Sequence, residues 1–171
     1  MTDRIELPPY ETVALVLQGG GALGSYQAGV YQGLHEAGIT PNWFCGISIG
    51  ALNCAILAGN APEKRLERLT EFWETICNSA LFPDLAVDDR FMPPLGNGPV
   101  RAAANAFAAT RALLEGQQGF YKPRFPPPLF ASGGGPAATS YYDTAPLKET
   151  LERLADFDRI NAREVRVSVG A

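Results

Sequence analysis

The chain has 171 residues, of which 46% are hydrophobic and 19% charged, so it is long enough to form one globular domain with a sizeable core. Its 14 basic and 18 acidic residues give a net charge of −4, which argues against nucleic acid as a partner because phosphate binding needs clustered Lys and Arg. The N-terminus is polar and carries acids, unlike a secretory signal, and no apolar run approaches the roughly 20 residues of a spanning helix. The composition predicts a soluble protein, or one that contacts membranes only peripherally.

The cysteine and histidine content indicates a cytoplasmic protein and argues against a metal site. Cys45, Cys54 and Cys77 are odd in number, lie in apolar settings and show no CxxC spacing. We therefore expect reduced core thiols in a cytoplasmic protein. Because His35 is the single histidine, a structural zinc site is not expected, and no other metal or cofactor is predicted.

The first part of the chain alternates short apolar strands, glycine turns and helices. Residues 13–17 (VALVL) indicate a buried parallel strand, and a helix over residues 25–37 follows the turn QGGGALGS. Residues 42–45 predict a second strand, which leads through GISIG into a helix over residues 51–58. A longer amphipathic helix is expected over residues 62–78. This alternation is typical of an α/β fold with a mostly parallel sheet.

The helical spacing also predicts which faces are buried. In the first helix the expected buried face consists of Ala28, Val30, Tyr31, Leu34 and Ala37. In the third it consists of Leu66, Leu69, Phe72, Trp73 and Ile76, opposite a solvated face of Glu63, Lys64, Arg65, Glu67, Arg68 and Glu71. Gly29 and Gly33 weaken the first helix, which suggests close packing against a neighbour.

The second half is less regular. Residues 84–99 are rich in turn formers, residues 100–114 predict an Ala-rich helix, and residues 116–140 are dense in Pro and Gly. A loop as long as this last stretch is usually a lid, a binding loop or an insertion. A helix over residues 145–155 and a strand over residues 165–169 follow. Since a parallel strand is normally followed by a covering helix, we expect the chain to be the N-terminal part of a longer domain.

The pentapeptide Gly46-Ile47-Ser48-Ile49-Gly50 has the form G-x-S-x-G, between a predicted strand and a predicted helix. A turn this sharp needs glycine on both sides of the serine, and it lifts the hydroxyl out of the sheet at the positive end of the helix. The context therefore predicts that Ser48 is a nucleophile and that Gly46 and Gly50 form its elbow. The alternative is a serine with a purely structural role in a turn.

The glycine run Gly19, Gly20, Gly21 and Gly24 also lies between a strand and a helix. Backbone amides in such a loop can approach a reacting carbonyl and stabilise the negative charge that acyl transfer builds on its oxygen. The run also matches the dinucleotide pattern G-x-G-x-x-G, but that fold requires an acidic residue about 20 positions later, and none occurs between Glu36 and Glu63. A phosphate loop would end in Gly-Lys-Ser/Thr, which is absent here.

A serine nucleophile needs a base. In α/β-hydrolases the chain order is Ser, Asp or Glu, then His, but no histidine follows Ser48. His35 precedes it on the first predicted helix, where a partly exposed helix residue is expected. These residues therefore do not supply a Ser-His-Asp triad.

The segments QGGGALGSYQAGVYQGLHEAG and GISIGALNCAI together resemble the patatin-like phospholipases, most closely over residues 13–59. The resemblance implies a three-layer α/β/α sandwich and a Ser-Asp dyad without histidine. It further implies that Ser48 is the nucleophile and that the amides of Gly20 and Gly21 lead the oxyanion hole, with Gly19 and Gly24 shaping the loop. The implied substrate is an acyl ester of a lipid, for example a phospholipid.

The chain departs from the family pattern in two places. The family's loop often carries an arginine where Leu23 stands, which puts phosphate-bearing substrates in doubt. The family's base is an Asp in a D-G-[GA] motif, whereas no aspartate here (Asp3, Asp84, Asp88, Asp89, Asp143, Asp156, Asp158) is followed by glycine. The Asp of the dyad is therefore expected beyond residue 171.

Three functional interpretations stay open. The chain is expected to be a lipid acyl hydrolase; the alternative is a non-catalytic lipid-binding or scaffolding protein that retains the fold, and a dinucleotide-dependent oxidoreductase is a more distant possibility. Residues 119–130 (GFYKPRFPPPLF) mix aromatic and basic side chains. Such a loop inserts its aromatic residues into a lipid interface, connects elements over the core, or contacts a partner helix.

Overall fold

The computed structural model describes residues 8–77, 106, 110, 116–125, 127–128 and 140–170. The chain divides into two compact units, one of residues 1–73 and 151–171 and the other of residues 74–150. Ser48 and the glycine run belong to the first unit. The stretch predicted at residues 84–99 lies outside the described residues, as does most of the helix predicted at residues 100–114.

The strands are β1 (Ala14–Leu17), β2 (Trp43–Ile47), β3 (Lys122–Pro123), β4 (Tyr142–Asp143) and β5 (Arg166–Gly170). The α-helices are α1 (Tyr26–Glu36), α2 (Ile49–Ala58), α3 (Pro62–Cys77), α4 (Ala145–Leu154) and α5 (Phe157–Asn161). A 3₁₀ turn over Gly21–Ser25 precedes α1. The strands and helices expected before residue 78 and after residue 144 therefore form, with ends shifted by no more than two residues.

The first unit is built on a parallel sheet with the strand order β1-β2-β5. Leu17 at the end of β1 pairs with Gly46, which pairs in turn with Val169 of β5. The carboxyl ends of the three strands thus lie at one edge of the sheet. A parallel sheet with helices is the predicted α/β, patatin-like architecture.

Helix α2 packs on this sheet and contacts all three strands. Its side chains Ile56 and Leu57 are buried together with Phe44 of β2. On the opposite face of the sheet, Val16 and Ile47 remain 73% and 58% exposed. In the part of the chain that the structure describes, the core of this unit therefore lies between the sheet and α2.

The buried face predicted for α1 is largely wrong. Only Tyr31 is buried, while Ala28, Leu34 and Ala37 are half-buried and Val30 is exposed. A Cβ atom added to Gly29 or Gly33 would have no neighbour within 4 Å. These glycines therefore do not mark close packing among the described residues.

Helix α3 buries Leu69, Phe72, Trp73 and Ile76 as predicted, whereas Leu66 is half-buried. The prediction of a solvated Arg65 is wrong, because this residue is only 2% exposed. Its Nε donates a hydrogen bond to the carbonyl oxygen of Asn60 (3.1 Å), and its guanidinium carbon lies 5.1 Å from the centroid of the Phe44 ring. Contact with an aromatic face and a backbone carbonyl offsets part of the desolvation of a buried cation.

The short helix α5 was not expected from the sequence. The carboxylate of Asp156 accepts hydrogen bonds from the backbone amides of Asp158 (2.9 Å) and Arg159 (3.1 Å). This is the N-capping arrangement that satisfies the free amides of a first helical turn.

The second unit contains β3 and β4, which pair antiparallel, Lys122 beside Asp143. The rings of Tyr121 and Tyr142 meet edge to face with centroids 4.8 Å apart. The Gln117 side chain donates a hydrogen bond to the carbonyl of Ile76 (2.9 Å).

None of the helices in the described part of the chain has the length and hydrophobicity needed to cross a bilayer.

Candidate active site

Ser48 lies at a sharp bend between β2, which ends at Ile47, and α2, which begins at Ile49. Its backbone has φ 53° and ψ −124°, a region that strains any residue with a Cβ atom by about 1–3 kcal/mol. The residue is exposed and occupies the N-cap position of α2. The bend therefore presents the hydroxyl to solvent at the positive end of the helix dipole.

The glycines on either side of Ser48 are required by close backbone contacts. A Cβ atom on Gly46 would lie 2.3 Å from the carbonyl oxygen of Gly50. A Cβ atom on Gly50 would lie 2.1 Å from the carbonyl oxygen of Leu17. The start of α2 therefore crosses the end of β1 at a distance that only glycine permits.

The glycine run lies beside this bend because β1 and β2 are neighbours in the sheet. A Cβ atom on Gly19 would lie 3.3 Å from Cβ of Ser48 and 3.5 Å from the carbonyl oxygen of Ile47. Gly20 and Gly21 have φ values of 148° and 57°, which favour glycine over other residues. Both are exposed, so the loop that continues from Gly19 presents bare main chain to solvent.

Gly24 has a different position in the loop. It is buried, and a Cβ atom there would meet the side chains of Ile49 (2.8 Å) and Trp73 (3.0 Å). It shapes the loop by packing on the start of α2. Leu23 is 76% exposed, and its amide donates to the carbonyl of Gly20 (3.2 Å).

His35 and Cys54 are two further potentially reactive side chains of the first unit. His35 is exposed on α1, where its ring stacks with Tyr31 at a centroid distance of 6.2 Å. Burial, followed by the neighbouring Cys45, raises the pKa of Cys54 to about 12. This thiol therefore stays protonated near neutral pH and is a poor nucleophile.

The predicted site residues lie around the bend at Ser48 and along the glycine loop. Ser48, Gly46, Gly50 and Gly19 come together at the carboxyl edge of the sheet, with Gly20 and Gly21 next along the loop.

A buried amide on α2, Asn53, donates a hydrogen bond to the carbonyl of Gly24 (3.0 Å), although it was not among the predicted residues. Its signal in the sequence is a lone amide within the apolar run of residues 51–58.

The strained, exposed serine and the glycine loop beside it are formed by the two sequence motifs that resemble the patatin-like phospholipases. A family model described as patatin-like phospholipase matches residues 15–170. The chain belongs to this family. No solved structure matches the chain.

Several relatives of known class match shorter segments. The triacylglycerol lipase ptl3 of Schizosaccharomyces pombe is 44% identical over 65 residues, which are 37% of this chain and 13% of that protein. The patatin-like phospholipase domain-containing protein 6 of Homo sapiens is 38% identical over 74 residues, 43% of this chain and 5% of that protein. The lysophospholipase nte1 of Aspergillus terreus is 52% identical over 50 residues, 29% of this chain and 3% of that protein. The matched segments thus span a small part of each of these relatives.

Two of the described aspartates, Asp143 and Asp156, make structural contacts. Asp143 is held by the amide of Ala145 (3.1 Å) and lies near Lys122 and Arg124, which together lower the pKa of its carboxyl. Asp156 caps α5. Both carboxylates are thus committed to structural contacts.

Proposed function

We propose that the protein hydrolyses carboxylic esters of lipids, with Ser48 as the nucleophile and the backbone amides of Gly20 and Gly21 as the oxyanion hole. The observation that carries this proposal is the exposed bend at Ser48, with φ 53°, and the closeness of Gly19, where an added Cβ atom would lie 3.3 Å from that of Ser48. Backbone strain of this kind persists where the surrounding structure enforces it, typically at functional sites. The names of two relatives, a triacylglycerol lipase and a lysophospholipase, support the lipid ester as substrate class.

In the proposed reaction the Ser48 hydroxyl oxygen attacks the ester carbonyl carbon while a carboxylate base takes its proton. The oxyanion of the tetrahedral intermediate accepts hydrogen bonds from the glycine amides. Collapse of the intermediate expels the alcohol, which receives the proton, and leaves an acyl-enzyme. Water then attacks the acyl-enzyme, with the same carboxylate as base, and releases the fatty acid.

We further propose that the base is an aspartate of the family's D-G-[GA] motif, which these 171 residues do not contain. Since the segment matched in the first relative spans 13% of that protein, the activity is proposed for the whole protein. A cytoplasmic location, with peripheral membrane contact, is part of the same proposal. The free cysteines Cys45, Cys54 and Cys77 support it.

Fatty-acid release by the whole protein distinguishes hydrolysis from lipid binding alone. Triacylglycerol, diacyl phospholipid and lysophospholipid are supplied separately, and released acid is measured by mass spectrometry. We expect turnover of at least one of the three. Binding of these lipids without release of acid from any of them would favour the non-catalytic alternative.

We also propose that the second unit contacts a lipid surface through Phe125. This side chain is 96% exposed, and the nearby Tyr141, whose carbonyl accepts from the Arg124 amide (2.9 Å), is 58% exposed. Exposed aromatic side chains in a segment that also carries basic residues suit a membrane interface. Of the other predicted docking residues, Phe120 is half-buried, and Leu129 and Phe130 lie outside the described residues.

Replacing Phe125 with serine is expected to reduce co-sedimentation of the protein with anionic phospholipid vesicles. The matched control is Tyr10→Ser, which removes another exposed aromatic side chain (65% exposed) from the first unit and is expected to leave sedimentation unchanged. Equal sedimentation of the Phe125→Ser and unaltered proteins would contradict docking through this residue.

A further inference from the structure

Asn53 is a fully buried polar side chain on α2, the helix that begins next to Ser48. Its Nδ2 donates to the carbonyl oxygen of Gly24 (3.0 Å) and to Oε1 of Gln27 (2.8 Å). Its Oδ1 accepts a hydrogen bond from Nε1 of Trp73 (3.2 Å). Both donors of the amide and its oxygen are therefore engaged.

The hydrogen bonds continue from Gln27 to the other end of the glycine loop. Nε2 of Gln27 donates to the carbonyl oxygen of Gln18 (2.8 Å). Gln18 directly precedes the run Gly19–Gly21, and Gly24 follows it. Asn53 thus holds one end of the loop directly and the other end through Gln27.

The indole of Trp73 fixes the direction in which the Asn53 amide points. If the amide were rotated by half a turn, its oxygen would face two acceptors and its NH₂ group would face the indole N–H donor. A buried polar group left without a partner is unfavourable by about 1–3 kcal/mol, so the observed orientation is strongly preferred. The amide donors are therefore held toward the loop.

We propose that Asn53 is a positioning residue for the oxyanion hole. Ser48 and Asn53 share one helix, so hydrogen bonds from Asn53 to the loop tie the glycine amides to the frame that carries the serine. The loop has no side chains at Gly19, Gly20 and Gly21 with which to anchor itself. This inference rests on the proposed role of Ser48, and it explains why an amide occupies the buried face of an otherwise apolar helix.

The test is Asn53→Asp in the whole protein, measured as kcat and KM for the ester with the highest turnover. The carboxylate has nearly the same shape but has lost both donors. Because a misplacement of about 1 Å can lower a rate about 100-fold, we expect kcat per folded site to fall by about 10- to 100-fold. KM is expected to change little, since the loop acts on the transition state rather than on substrate binding.

Asn60→Asp is the matched control. The Asn60 amide also donates to two carbonyl oxygens, of Ile56 (2.8 Å) and Leu154 (2.6 Å), but it lies beyond the opposite end of α2. The same chemical change there is expected to lower stability while kcat per folded site stays unchanged. A fall in kcat restricted to Asn53→Asp therefore separates positioning from general stabilisation.

The pH dependence gives a second readout. Burial raises the pKa of a carboxyl group, so a protonated Asp at position 53 can donate one hydrogen bond to the loop at lower pH. The ratio of the kcat of Asn53→Asp to that of the unaltered protein is therefore expected to rise as the pH falls. A role limited to core stability predicts a constant ratio for the folded protein.

If Asn53→Asp does not fold, Gln27→Glu tests the same link between Asn53 and the glycine loop. This change removes the donor to Gln18 and keeps the acceptor for Asn53, on a side chain that is only half-buried. We expect kcat to fall by about tenfold. Unchanged kcat in the folded Asn53→Asp protein, or in Gln27→Glu where the first variant does not fold, would overturn the inference. Turnover that survives Ser48→Ala would instead refute the proposed function.

Discussion

Replacing Ser48 with alanine is expected to lower ester turnover by roughly 10⁴- to 10⁶-fold, the loss seen when a serine hydrolase loses its nucleophile. The variant keeps Cβ and hence the strained backbone at φ 53°, so its stability should stay close to that of the unaltered protein. Fatty-acid release and the free energy of unfolding in urea are the two measurements. Wild-type turnover in this variant would refute the assignment of Ser48.

Replacing Ser48 with glycine distinguishes the effect of backbone strain on stability from the loss of the nucleophile. Ser48→Gly is equally expected to be inactive, but glycine adopts this backbone conformation without the strain of about 1–3 kcal/mol. Glycine also gives the unfolded chain more conformational freedom, which lowers the free energy of unfolding by up to about 1 kcal/mol. We therefore expect Ser48→Gly to be more stable than Ser48→Ala by about 1 kcal/mol. Ser168→Ala is the control and should retain turnover. It removes a hydroxyl on β5 that accepts a hydrogen bond from the indole N–H of Trp43 on β2 (3.0 Å).

The second large effect is expected for Gly50→Ala. The added methyl group would lie 2.1 Å from the carbonyl oxygen of Leu17 and 2.8 Å from that of Gln18. Both are main-chain atoms, so relief requires β1 to move away from α2, and this movement also displaces Gly19 from Ser48. We expect a loss of at least about 3 kcal/mol in unfolding free energy, the upper part of the range for overpacked cores, together with loss of turnover.

Gly33→Ala supplies the matched control for the added methyl group. Gly33 is exposed on α1, and a Cβ atom there has no neighbour within 4 Å. Alanine in a helix is more favourable than glycine by up to about 1 kcal/mol, so this variant should be slightly more stable and fully active. Wild-type stability and turnover in Gly50→Ala would contradict the close crossing of α2 and β1.

The sequence was sufficient to predict the parallel sheet and the bend at Ser48, because both depend on local patterns. An apolar run such as residues 13–17 and a glycine on each side of Ser48 have few structural alternatives. The adjacency of β1 and β2, which brings Gly19 to Ser48, follows from the tendency of consecutive strands to be neighbours. The catalytic roles of Ser48 and the glycine amides stay predictions.

Features that depend on tertiary contacts were not predicted. Helical spacing places Arg65 beside charged neighbours, and only the fold shows the Phe44 ring and the Asn60 carbonyl that receive its guanidinium. The face of α1 was mispredicted for a similar reason, since apolar spacing indicates which residues can be buried and not whether a neighbour covers them. The contacts of Asn53 likewise join four separate segments.

The catalytic role of Ser48 can be tested by mapping the site of covalent labelling with a fluorophosphonate probe. The probe forms a stable bond to a serine that is activated by a nearby base and an oxyanion hole. For the folded whole protein, peptide mapping by mass spectrometry should find the adduct on Ser48, and labelling should disappear after unfolding in urea and in Ser48→Ala. An adduct on a different residue, or undiminished labelling of Ser48→Ala, would contradict the account.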